Sequence, residues 1–217
     1  MIIVDRDGKE IRLVEAVKFD EHGNLVYKWG QVSQKMEQVL ADIMKTPEGV
    51  AYLSKFAKAG QIIGGHLFEQ NGEFHDQQFV FVDVSLRERD LGDRSNVPYF
   101  VEGFYDSRVS EGRVQAFVQV MTFMHGDKYD AGETTAHEAF LHGYQAENEM
   151  RAFKRGGKAA FDAERAKDPE GHKDHKALAS KDAKHPGYRL YNAIRNALKK
   201  VDKNYEPAFE KGGEKKQ

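Results

Sequence analysis

The sequence predicts a single α+β domain. Two observations carry this: short β-branched and aromatic runs crowd the chain as far as Phe123, and helical spacings replace them from Gly132 on. A third sets the scale. Hydrophobic residues are 40% of the 217 and aromatics 11%, enough to build one core. The predicted order is a β-rich N-terminal half of hairpins or mixed sheet, followed by a helical C-terminal half. The domain spans residues 1–205, with a β-hairpin region at 1–29. Strands first and helices after argues against alternating βαβ units.

Ile2-Ile3-Val4, Ile11-Arg12-Leu13-Val14 and Leu25-Val26-Tyr27 are the first strand candidates, separated by Asp7-Gly8 and Gly23-Asn24 turns. Val32, Met36, Val39, Leu40 and Ile43 then recur at helical spacing on one face. Thr46-Pro47-Glu48-Gly49 opens a second helix, with Thr46 as N-cap and Pro47 in the first turn; Gly60 is its expected stop. Residues 62–86 read as a hairpin turning at Asn71-Gly72, its second strand centred on Phe79-Val80-Phe81-Val82. Residues 87–98 are polar and irregular. Tyr99–Tyr105 and Val114–Phe123 are further strands, the second alternating Val114, Ala116, Val118 and Val120 with polar or aromatic neighbours. Helices are expected over 133–153, 157–167, 172–183 and 187–202, broken by Gly156, Pro169 and Pro186-Gly187. The Gly/Lys/Glu-rich segment 206–217 is expected to be a charged, disordered tail.

Composition excludes several functions. The chain has no cysteine, so disulfides, thiolate metal sites and cysteine nucleophiles are ruled out. No apolar run reaches the ~18–20 residues of a membrane-spanning helix. Met1 to Glu10 carry charge where a secretory signal would have an apolar core, so no signal peptide is expected in this chain. Neither a phosphate-cradling glycine loop nor a Gly-x-Ser-x-Gly elbow occurs. The net charge of −2 hides an asymmetry: residues 151–217 hold 18 Lys and Arg against 10 Asp and Glu, while residues 1–150 hold 15 against 25. A basic C-terminal third suits an acidic partner or a solvated helical surface.

The chemistry concentrates in Thr134-Thr135-Ala136-His137-Glu138-Ala139-Phe140-Leu141-His142. Two histidines, with a glutamate directly after the first, are the means by which zinc metallopeptidases hold Zn²⁺ and manage the proton of its water. The usual spacing is i, i+4, about 40° apart around a helix; here it is i, i+5, about 140° apart. Convergence on one ion therefore requires the helix to be irregular at Phe140 to Gly143, where a π-bulge absorbs one extra residue and Gly143 eases the distortion. The same residues also fit an ordinary amphipathic helix with Phe140, Tyr144 and Glu147 on one face. A catalytic zinc needs a third protein ligand. His175 is the first choice, with His172, Glu147 and Glu149 as alternatives. His66 and His75 are expected across a hairpin from each other; His22, His125 and His185 are expected to be structural or solvated.

The His-Glu-x-x-x-His pattern is similar to that of dipeptidyl peptidase III, a zinc peptidase with one residue inserted between its histidines. Residues 135–142 more closely resemble a His-Glu-Ala-aromatic-aliphatic-His segment in C-terminal domains of bacterial Rhs-associated polymorphic toxins. Thr46-Pro47-x-Gly49 and the later Asp174-His175 add to the likeness, which spans about Gly23 to His175. The resemblance implies a zincin-like fold and a zinc metallopeptidase effector, released from a larger secreted protein into a target cell. It further implies a protein or peptide substrate and a cognate immunity protein. In that reading His137, His142 and His175 hold Zn²⁺ and Glu138 is the catalytic acid–base. A strand beside the active helix, Val114–Phe123, would carry the substrate by β-addition.

Two other readings compete. A metal-dependent nuclease would use His172, Asp174 and His175 with Asn192, Arg195 and Asn196 of the basic third. A non-enzymatic binding module would use neither.

Overall fold

A computed structural model describes residues 3–4, 11–12, 14–19, 25–29, 33–63, 66–84, 103–168 and 171–211. The fold is mixed α+β. Among the described residues its main sheet has five strands: β3 (Val14–Phe19), β4 (Leu25–Trp29), β7 (Gln78–Val84), β8 (Gly103–Ser110) and β9 (Arg113–Val120), in the order β4-β3-β7-β9-β8. β1 (Ile3–Val4) with β2 (Ile11–Arg12), and β5 (Ile62–Ile63) with β6 (His66–Leu67), form two small antiparallel ribbons. The helices are α1 (Gln34–Met44), α2 (Pro47–Leu53), α3 (Lys128–Ala136), α4 (Gly143–Arg165), α5 (His172–Ser180), α6 (Pro186–Val201) and α7 (Tyr205–Lys211). None is long and apolar enough to cross a membrane.

The sheet departs from the expected hairpin at 62–86. β7 pairs with both β3 and β9, and both pairings are parallel. Its run Phe79-Val80-Phe81-Val82 is buried throughout, which is what a strand covered on both faces requires. Asn71-Gly72 is not a hairpin turn but is tied back to the segment after α2: Gly72 N–H donates to Ala57 O, and Asn71 Oδ1 accepts from Ala59 N–H. His66 and His75 therefore do not face each other; His75 Nδ1 lies 2.9 Å from Gly72 O in its own turn.

The first two helices follow their sequence signals. Ser33 caps α1, whose Met36, Val39, Leu40 and Ile43 enter the core. Thr46 Oγ1 accepts the Gly49 N–H with Pro47 at the first position of α2, which ends at Leu53, ahead of Gly60. In β9 the alternation holds, with Val114, Ala116, Val118 and Val120 all fully buried against the helical layer.

One further correction concerns the C-terminal half. The residues expected to be a disordered tail begin with α7, whose Tyr205 and Phe209 are buried. Tyr205 Oη donates to Asp42 on α1, and Arg195 Nη2 donates to Phe209 O. The composition hid two aromatic anchors one helical turn apart. The break expected at Gly156 is present: α4 consists of two helical stretches that meet across a kink there. Its backbone leaves helical geometry at Gly156 (φ −149°, ψ 21°) and Gly157 (φ 62°, ψ −154°). The turns at Asp7-Gly8 and Gly23-Asn24, together with His22, Val32, residues 64–65, 85–102, 169–170 and 212–217, lie outside the described residues.

Candidate metal centre

α3 begins at Asp127, whose carboxylate accepts the N–H groups of Tyr129 and Asp130. It runs regularly to Ala136. Over His137–Leu141 the backbone opens into a π-helical turn, and α4 resumes at Gly143. This is the irregularity that the i, i+5 spacing demands. Ala139, Phe140 and Leu141 in the widened turn are completely buried, and the Phe140 ring meets Tyr52 edge-on at 5.0 Å. Core packing thus holds the turn open from beneath.

The consequence is convergence. His175, on α5, places its Nε2 3.2 Å from Nε2 of His137 and 3.2 Å from Nε2 of His142. All three ligand atoms lie within 4.8 Å of one another. Hydrogen bonding among the rings cannot satisfy this arrangement. His142 Nδ1 is 2.9 Å from Asp174 Oδ2, so that nitrogen carries the proton and His142 Nε2 presents a lone pair. One proton on His175 Nε2 can serve one neighbour only, which leaves like against like at the other contact. A cation at the centre satisfies all three. The cluster can hold a metal ion.

The electrostatics agree with that use. Burial, then the neighbouring His142 and His175 rings, push His137 down to about 3, so it is neutral as a ligand must be. His175 is lowered by burial and then by His142. Glu138 follows His137 into the interior and is 8% exposed. Burial raises its carboxyl to about 7, the neighbouring His142 opposing the shift. Its Oε1 is 3.9 Å from His137 Nε2.

A cleft of about 400 Å³ opens beside the cluster. One wall is Gly103 to Ser107 of β8; Glu138, His142, Gln145, Arg165, Gly171 and His175 complete it. β9 lies between β7 and β8, so both its edges are paired. Among the described residues, the strand beside the active helix with an unpaired edge is β8, not Val114–Phe123. β8 comes very near the π-turn because Gly103 lacks a side chain. A Cβ there would stand 2.5 Å from Thr134 Cγ2 and 2.6 Å from Glu138 Cγ. Tyr105 stacks on His142 (ring centroids 5.9 Å, 19°) and donates its hydroxyl to the buried Glu149, whose carboxyl is raised chiefly by that burial. Arg165 binds Asp106 and reaches Ser107 Oγ at 3.3 Å, side chains of neighbouring strand residues.

The alternative ligands are occupied elsewhere. Glu147 pairs with Lys55 and Arg151, and Glu149 with Tyr105 and Gln145. His172, one turn before His175, is outside the cluster. Asp174 serves His142 and not its neighbour His175, a partnership no local spacing reveals. Of the residues that a nuclease would need, Arg195 is taken by the α7 helix, with its guanidinium over the Phe209 ring at 5.2 Å.

No family model, curated protein or solved structure matches this chain. The reading of the site therefore rests on its own geometry.

Proposed function

We propose that this chain is a zinc-dependent metallopeptidase, with His137, His142 and His175 as the zinc ligands and Glu138 as general base and acid. The observation that carries the reading is the meeting of three Nε2 atoms beside a buried glutamate. Zinc–nitrogen bonds of about 2.0–2.1 Å in tetrahedral geometry put ligand nitrogens about 3.3 Å apart. The two 3.2 Å separations agree with that spacing. Among the described residues the cluster offers three ligands, and a zinc ion held by them would keep the fourth position that hydrolytic zinc sites require. Zinc bound there supplies a Lewis acid and lowers the pKa of water beside it.

The chain's own residues divide the remaining work. Glu138, with a carboxyl near neutrality, accepts the proton of the attacking water and returns it to the leaving amine. Asp174 holds His142 in the tautomer that turns Nε2 inward. The edge of β8 that is unpaired among the described residues offers backbone N–H and C=O groups to an extended peptide in the cleft, favouring a peptide substrate over a nucleic acid. Following the Rhs-toxin resemblance, we further propose an effector domain of a larger secreted protein, acting on a target-cell protein and countered by an immunity protein.

The test is elemental analysis of the purified protein beside its His137→Ala variant, followed by a peptide-cleavage screen. Near-stoichiometric zinc in the wild type, lost in the variant, is expected. Absence of zinc after loading and washing overturns the reading. Growth arrest on expression inside bacteria, abolished by Glu138→Gln, is the expected sign of an effector.

A further inference from the structure

His185, expected to be structural or solvated, stands directly behind the metal cluster. It caps α6: its Nδ1 accepts the Tyr188 N–H at 3.4 Å, and Pro186 follows at the first helical position. An accepting Nδ1 bears no proton, so the ring's N–H is on Nε2. That nitrogen is 3.4 Å from Asp174 Oδ1. The other oxygen of the same carboxylate receives His142 Nδ1–H at 2.9 Å. Asp174 is 4% exposed, and these two imidazoles stand on its two oxygens.

The start of α6 is fixed to the active helix by a second contact. A Cβ on Gly187 would lie 2.3 Å from the carbonyl oxygen of Leu141, the last residue of the π-turn. The helix can approach this closely only with glycine there. The same turn of α6 thus touches the residue before His142 and, through His185, the carboxylate behind it.

We propose that His185 is a positioning residue for the metal centre: it holds Asp174, and Asp174 holds His142 with its Nε2 toward His137 and His175. The proposal rests on the metal-cluster reading above. The Tyr188 N–H fixes the His185 tautomer, so His185 Nε2–H and His142 Nδ1–H donate to the Asp174 carboxylate from its two sides. His185 touches neither the metal position nor the cleft; it acts through Asp174.

The test separates capping from positioning. In His185→Asn the new side chain still caps a helix well but ends short of an imidazole Nε2. Zinc affinity is measured by chelator competition, the His142 tautomer by nitrogen NMR of the metal-free protein, and folding by its thermal melt. The expected result is an affinity loss of about tenfold or more, the range typical of groups that orient a metal ligand from behind. It comes with a loss of the pure Nδ1–H tautomer at His142 and an unchanged melt. Asp174→Asn should lose as much or more, and the double variant no more than Asp174→Asn alone. Unchanged affinity and tautomer in His185→Asn overturn the proposal, as do losses that simply add. Should the wild type bind no zinc, the metal reading falls, and the tautomer measurement decides this proposal by itself.

Discussion

Glu138 shows how one side chain is assigned by its surroundings. The fold raises its carboxyl from the ordinary 4.5 to about 7 by burial. Between those values the folded, metal-free protein keeps a proton that the unfolded chain releases. Its stability therefore falls as pH rises through that window. His137, lowered to about 3, has the opposite slope: the unfolded chain binds the extra proton, and stability is lost as pH falls from 6.5. Comparison of variants isolates the first effect. In chelator, Glu138→Gln should be more stable than wild type at pH 8, by up to about 3 kcal/mol, with the gap closing near pH 4.5. Denaturant titrations at the two pH values measure it. The same variant should keep its zinc and lose hydrolysis; retained peptide cleavage removes Glu138 from the proposed chemistry.

At the scale of elements, the π-turn and β8 define the site. A π-turn accommodates one residue beyond a regular helix without rotating the helix on its far side. Deleting Ala139, the smallest residue in the turn, should return the two histidines to i, i+4 and leave α4 seated. Deleting Ala146 from the regular part of α4 should rotate the rest by about 100° and unfold it. Melts and zinc binding of the two deletions distinguish these outcomes; an Ala139 deletion that unfolds as completely as the other refutes the insertion argument. Gly103→Ala should force β8 away from Thr134 and Glu138, costing about 1–3 kcal/mol by overpacking. Much of this was legible in advance. Metal binding at i, i+5 spacing required a distorted turn, and one is there, although it spans His137–Leu141 and so begins three residues before the expected Phe140 to Gly143. Thr46-Pro47 and the alternation in β9 were equally direct. The parallel pairing of β7 was not, since a buried apolar run carries no sign of its partners' direction. Nor was Asp174–His142 visible, because the contact joins separate helices 32 residues apart.

Across the whole molecule, the C-terminal helix secures the framework around the site without touching it. Phe209→Ala should lower stability by about 3–5 kcal/mol, the usual cost of emptying a buried aromatic position. Zinc affinity of the folded variant should stay at the wild-type level; a matching loss of metal would make α7 part of the centre. Zinc itself should raise the melting temperature, since saturation at a hundredfold excess over Kd contributes about 2.7 kcal/mol. The chain order of the ligands has one more consequence. His175 follows His142 by 33 residues. At about 5–20 residues per second, a ribosome reaches it some 2–7 s after the first two ligands. A chain still being made thus carries an incomplete centre, and the proposed chemistry has to wait until α5 has emerged and folded back.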